Sequence, residues 1–189
     1  MTTNDSFSAH VYDSLVGRTA NMELTPALAT SWKNLDDLTW EFKLRENAVW
    51  SDGKPVTAED IAFSYARAPN VPGTVASYKG FLRNVAKVEI KDAHTLVITS
   101  RAPDPLLPIN ISSIYIVSKH IGQSATTDDY NSGKAMVSEG PYSFVSYTPG
   151  DRIEMKRNER YWGPKPEWEK VNYRYLANPA ARNAALLSG

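Results

Sequence analysis

Residues 38 to 45 alternate without interruption: Leu38, Trp40, Phe42 and Leu44 are apolar, while Thr39, Glu41, Lys43 and Arg45 are polar or charged. A period of two puts one set on each face of an extended chain, so the run is predicted to be a strand with one buried face. Such a strand needs paired neighbours and a covering layer before it is stable. A candidate for that layer follows directly. Asp52-Gly53 marks a turn, and Thr57-Ala58-Glu59-Asp60 reads as a capping box, in which the Thr57 hydroxyl accepts first-turn N–H groups and the Asp60 carboxylate reaches back. Acids in a first turn also suit the helix dipole. Ile61, Tyr65 and Ala68 then recur at helical spacing, and the helix is predicted to end before Pro69-Asn70-Val71-Pro72-Gly73.

The rest of the chain mixes the same two kinds of signal. A helix is predicted over residues 6 to 16, followed by Pro26-Ala27-Leu28-Ala29 leading to Trp32. Residues 85 to 90 and 95 to 99 read as a hairpin around Lys91-Asp92-Ala93-His94. Residues 103 to 108 are irregular or a short proline-bounded helix, residues 114 to 117 a short strand, and residues 125 to 139 a polar loop. Residues 142 to 147 and 152 to 156 alternate around Pro149-Gly150, the central pair of a type II turn, and so form another hairpin. A last strand is predicted over residues 171 to 176 and a final helix over 180 to 187. Strand hairpins with short helices between them indicate an α+β (mixed α/β) fold.

Composition narrows the function classes. The 189 residues are 42% hydrophobic and 11% aromatic, enough for a sizeable core. Lys plus Arg and Asp plus Glu both number 21, so nothing points to nucleic acid or an anionic membrane as partner. Cysteine is absent, which removes disulfides, thiolate nucleophiles and Cys-rich zinc sites. No window reaches the roughly eighteen apolar residues of a membrane span, and Met1-Thr2-Thr3-Asn4-Asp5-Ser6 lacks the regions of a signal peptide. The chain is therefore expected to be cytoplasmic or to have lost a sorting segment. The apolar stripe of residues 10 to 16 lies close to one end and Leu186-Leu187-Ser188-Gly189 closes the other, so both ends read as cut.

Candidate chemistry is sparse. Ser51-Asp52-Gly53-Lys54 matches the Ser-x-x-Lys spelling of serine acyl-transfer enzymes, but that serine belongs at a helix start and this one precedes a glycine turn. His10, His94 and His120 are scattered and read as surface or capping residues. Residues 128 to 139 carry the ends and the Gly133 of a calcium loop, yet Tyr130 and Ser132 stand where carboxylate or amide oxygens are needed, so a polar surface loop is expected. Glu59 and Asp60 are accounted for by capping. Trp50 reads as a structural anchor, and so do Tyr161 and Trp162, whose rings would lie on opposite faces of a strand end. No catalytic residue, metal ligand or cofactor is expected.

Three stretches carry a resemblance. "HVYDSLV", then "LTPALATSWKNLDDLTWEFKLRENAVWSDGKPVTAEDIAFSYARA", then "GPYSFVSYTPGDRIEMKRNERYWGPKPEWEKVNYRYLANPAARNAALLSG" resemble, in this order, the family 5 solute-binding proteins of ABC importers, the dipeptide, oligopeptide and nickel receptors. The resemblance implies a class II periplasmic binding protein-like fold, with residues 1–13 the remnant of the first lobe's opening segment, 14–138 the extra subdomain and 139–189 the return to the first lobe. It implies a periplasmic or lipid-anchored receptor that captures a peptide or other small solute and delivers it to membrane permease subunits. A monomer without catalysis, cofactor or nucleic acid is expected. A chain holding only part of a two-lobed cleft is expected to bind the natural ligand weakly. By the same resemblance Val75, Ser77, Tyr78, Ser113, Tyr115, Ser138 and Gly140 approach the ligand. The alternative is a stand-alone hydrolase or metal-responsive module built on the same subdomain, using Ser51 or the loop at Asp128.

Overall fold

The chain's described residues fold into three antiparallel sheets joined by short helices. In the computed structural model these are residues 3–71, 78–176 and 178–188, with side-chain surroundings from Phe7 onward. Helix α1 (Thr3–Val11) leads into a two-stranded ribbon of β1 (Val16–Arg18) and β2 (Leu24–Pro26). The helix predicted to reach residue 16 therefore ends earlier, with the Tyr12 N–H on the Ser8 carbonyl at 2.8 Å. Beyond that point distant partners claim the backbone. Ile116 N–H donates to Asp13 O, Ala29 N–H donates to Leu15 O, and Ser14 forms an isolated bridge with Tyr115. Tertiary pairing overrides the helical spacing.

The alternating run becomes a central strand. β3 (Ala29–Asp36), β4 (Thr39–Leu44), β5 (Val85–Asp92) and β6 (Thr95–Ser100) form a sheet of order β3-β4-β6-β5. Register places Phe42 opposite Trp32 and Leu96, and Trp40 opposite Ile98. Phe42, Leu96 and Ile98 are fully buried, so the predicted apolar face is the core face. Each such side chain contributes about 1.5–3 kcal/mol by leaving water.

Helix α2 (Ala58–Arg67) covers this core with Ile61 and Tyr65. Its capping box is formed: Asp60 Oδ2 accepts the Thr57 N–H at 2.9 Å. The same buried carboxylate does more than cap. It accepts the Trp50 Nε1–H at 3.4 Å on one oxygen and the Lys119 N–H at 2.7 Å on the other. Thus the cap also fastens the Trp50 turn and the segment at residue 119 to the helix. Gly53, at φ +92°, supplies the backbone conformation that the turn after Trp50 requires.

Four short helices follow: α3 (Lys79–Leu82), α4 (Leu107–Ile111), α5 (Lys119–Gly122) and α6 (Thr127–Asn131). The proline-bounded helix thus starts at Leu107 and encloses Pro108 in its first turn, where the missing N–H is not needed. Residues 114 to 117 do not extend into a strand. Ile114 and Ile116 point into the core as alternation requires, but pairing is limited to the single Ser14–Tyr115 bridge. The predicted polar loop of residues 125 to 139 contains α6, capped by Thr126 and Asp129 through reciprocal bonds of 3.2 and 2.9 Å.

The last sheet, β7 (Tyr142–Thr148), β8 (Arg152–Arg157) and β9 (Lys170–Arg174), is a meander, with Gly150 at φ +75° in the first turn as a type II turn demands. Helix α7 (Pro179–Ser188) follows. Helix α1 packs on β7, Phe7 meeting Phe144 edge-on at 6.4 Å and His10 meeting Tyr142 at 6.1 Å. Tyr161 and Trp162 lie after β8 rather than on a strand end, and their rings touch at 5.1 Å instead of facing apart. Their anchoring role survives by other means. Trp162 Nε1 donates to Asp13 Oδ2 at 2.9 Å while the Arg45 guanidinium stacks 3.4 Å over the indole.

Candidate ligand groove

Four separate segments bring tyrosines together, and a fifth adds an arginine. Tyr12 follows α1, Tyr78 precedes α3, Tyr115 lies at the Ser14 bridge and Tyr130 stands on α6; with Arg67 from the last turn of α2 they line a cavity of about 260 Å³. A second hollow of about 590 Å³ shares Ser8, Tyr12, Tyr78 and Tyr130 and continues past Phe144 to Tyr147 and Tyr175. The two make one groove walled by flat rings with polar edges. Arg67 sits 4.5 Å over the Tyr130 ring, the cation held on the aromatic face.

Tyr12 in the lining, with the acids Glu139 and Asp13 close to it but outside the lining, makes an unusual set of polar groups. Tyr12 is 7% exposed, and its Oη has no hydrogen-bond partner among the described residues. Burial, reinforced by the neighbouring Glu139, pushes its phenol well above the ordinary range, so it remains a protonated donor. Glu139 is fully buried, with Oε1 accepting the Asp13 N–H at 2.8 Å and Oε2 without a partner among the described residues. Burial, then the nearby Asp13 carboxylate, drives the Glu139 carboxyl well up. Burial likewise raises Asp13 to about 6, against the Trp162 hydrogen bond and Arg45.

The residues expected to approach a ligand divide. Tyr78 and Tyr115 line the groove together. Ser113 lines neither hollow, and its Oγ accepts from Arg18 Nη2 at 3.0 Å. Ser138 and Gly140 are buried below the surface: Ser138 O accepts the Ser51 N–H at 2.7 Å, and a Cβ on Gly140 would stand 2.7 Å from the Val11 carbonyl carbon. Val75 and Ser77 fall outside the described residues. Tyr12, Arg67 and Tyr130 were not anticipated, since each is the kind of residue that usually packs or faces solvent and only the tertiary structure joins them.

Catalytic alternatives find other employment. Ser51 Oγ accepts the Ser138 N–H at 3.2 Å and so stitches the turn to the return loop. Ser118, His120 and Asp52 form a hydrogen-bonded string of 2.8 and 2.7 Å, but Ser118 is 3% exposed and its Oγ caps α5 by accepting from Ile121 N–H. A shut-in, capping hydroxyl cannot meet a substrate carbonyl. In the loop at residue 128, Asp129 is committed to the α6 cap, where Thr126 and then Lys134 hold its carboxyl down at about 2. Among the described residues no three His, Asp or Glu side chains are grouped to hold a metal, and no helix is long and apolar enough to cross a membrane.

Comparison with known proteins agrees with the architecture. The model of the bacterial extracellular solute-binding proteins, family 5 (middle), matches residues 23–189. A putative ABC transporter peptide-binding protein of Brucella ovis is 32% identical over 158 residues, covering 82% of this chain and 30% of the relative. The structure of oligopeptide-binding OppA from Haemophilus influenzae, in complex with RPPGFSPFR, superposes with a TM-score of 0.86 at 27% identity, over 98% of this chain and 40% of that one. Campylobacter jejuni NikZ, in complex with Ni(L-His), gives 0.86 at 28% identity over 96% and 36%. The chain thus spans about a third of the length of such relatives. The chain belongs to the family 5 bacterial extracellular solute-binding proteins.

Proposed function

We propose that this chain is part of the substrate-binding receptor of an ABC importer, which captures a peptide or other small solute and passes it to the permease subunits of the membrane. The receptor works in the periplasm, or outside the cell on a lipid anchor, as a monomer and without catalysis or cofactor. The observation that carries this reading is the tyrosine groove of Tyr12, Tyr78, Tyr115 and Tyr130 on the family's fold. Flat rings with hydroxyl edges suit a peptide, and the peptide held by Haemophilus influenzae OppA is the precedent. On this reading residues 1–13 and 139–189 belong to the first lobe and 14–138 to the extra subdomain. The packing of α1 on β7 supports joining the two outer segments.

Two-lobed receptors bury most of a ligand between walls, and this groove is one wall. Binding to the chain alone is therefore expected in the millimolar range rather than the micromolar. The test is an NMR titration of the labelled chain with the tripeptide Ala-Phe-Ala. Shift changes gathered at Tyr12, Tyr78, Tyr115 and Tyr130, and weakened by Tyr78→Ala, are expected. Changes confined to other surfaces, or low-micromolar affinity insensitive to Tyr78→Ala, would refute the assignment.

A further inference from the structure

We infer that the groove recognises a carboxylate on its ligand, held between the Arg67 guanidinium and the Tyr12 hydroxyl, with the ligand's apolar body against the rings of Tyr78 and Tyr115. The inference rests on the reading of the groove as a ligand wall and adds the charge class of what it binds.

The first support is the composition of the lining. Among the described residues around both hollows, Arg67 is the single charged side chain; the others are tyrosines, phenylalanines, aliphatics, two serines and one asparagine. Among the described residues no carboxylate lines the groove to receive a ligand ammonium. Asp13, next to Tyr12 in the chain, and Glu139, which acts on its phenol electrostatically, line neither hollow. Glu139 is fully buried and takes the Asp13 N–H on Oε1. Arg67 lies 4.5 Å over the Tyr130 ring, a contact of the guanidinium's face that does not use the N–H donors of its fork.

A second, independent observation points the same way. Tyr12 lines both hollows, is more than nine-tenths buried, and its Oη lacks a partner among the described residues. A buried hydroxyl without a bond is costly, and an acceptor arriving with the ligand would relieve that cost. The phenol stays protonated, so it presents a donor. One cation and one neutral donor suit a group with a single negative charge shared over two oxygens. A phosphate dianion would remain half-neutralised in this apolar setting, whereas a carboxylate matches in both charge and planar shape.

The decisive probe is a pair of equal shape and different charge, N-acetyl-L-phenylalanine and N-acetyl-L-phenylalaninamide, neither of which carries an amine. Each is titrated into the labelled chain at neutral pH and followed by NMR. The acid is expected to bind about tenfold tighter than the amide, as a charge-assisted bond should. The preference should vanish in Arg67→Gln, shrink in Tyr12→Phe and survive in part in Arg67→Lys, which keeps the charge should the Gln variant fold poorly. Equal binding of acid and amide, with shifts still at Tyr78 and Tyr115, overturns the carboxylate inference and leaves the groove assignment standing. An acid preference unchanged in Arg67→Gln also overturns it. If neither compound shifts a groove residue, both readings fall together.

Discussion

Asp13→Asn should stabilise the chain at neutral pH and leave it nearly unchanged in acid. Asp13 is largely buried beside the Trp162 indole, and burial raises its carboxyl from 3.8 to about 6 despite the Trp162 hydrogen bond and the Arg45 charge. A carboxyl raised on folding favours the folded state below its unfolded value and withdraws that favour as pH climbs through its folded value. Between 3.8 and about 6 the native form thus loses about 3 kcal/mol relative to a side chain that never ionises. Asparagine keeps an oxygen for the Trp162 Nε1–H, now 2.9 Å from Asp13 Oδ2, and removes the titration. The variant should melt about 6–12 °C higher at pH 7.5, given about 2–4 °C per kcal/mol for a chain of this size, with the gap closing by pH 4. Thermal melts of both proteins across that range check the claim. A gap constant with pH, or a variant that grows less stable as pH rises, would refute the assignment of Asp13 as a buried, reluctantly ionised acid. Glu139, pushed up by burial and then by Asp13, is relieved of the Asp13 charge in the variant, which adds to the gap in the same direction.

Three further outcomes are expected. Trp162→Phe removes the Asp13 hydrogen bond and the best surface for Arg45, so urea unfolding should show a loss of about 1–2 kcal/mol. Gly133→Ala sets a Cβ into the Phe144 ring at a backbone φ of +83°, and should cost about 1–3 kcal/mol by the same measurement. Met22→Gly relieves the only non-glycine left-handed residue among the described ones, at φ 68° with 59% exposure, and should raise stability by about 0.5–1 kcal/mol.

Much of the architecture was legible because local and tertiary signals agree. The alternation at residues 38 to 45 is the core-facing alternation of β4, and Pro149-Gly150 makes the turn of the β7–β8 hairpin. Thr57-x-x-Asp60 starts α2 as its spelling implies. The same spelling, Thr126-x-x-Asp129, starts α6 within a segment whose polarity suggested a loop. That helix was readable in principle: a cap can be recognised without the apolar stripe that usually accompanies it. Residues 12 to 16 and 114 to 117 were not readable. Their backbone bonds go to distant partners, Ser14 to Tyr115, Asp13 to Ile116 and Leu15 to Ala29, and no local window contains both partners.

The groove shows the same division in sharper form. Tyr78 and Tyr115 reach it, but the residues that give it electrostatic character do not announce themselves. Arg67 is a last-turn cation suited to a helix dipole, and Tyr12 falls inside the helix predicted over residues 6 to 16. Gly140 was expected beside the ligand by family resemblance, and in the structure it makes a close approach to the protein's own backbone. A Cβ there would lie 2.8 Å from the Tyr12 nitrogen and 3.0 Å from the Val11 oxygen, while Gly140 N–H donates to that same oxygen at 3.1 Å. The return loop can therefore cross the end of α1 only through a glycine, and the next residue back, Glu139, reaches under it to the Asp13 N–H. Both contacts fix the backbone on which Tyr12 stands. Gly140 and Glu139 bear on the groove by placing its buried hydroxyl, from a position two sheets away in sequence and directly beneath it in space.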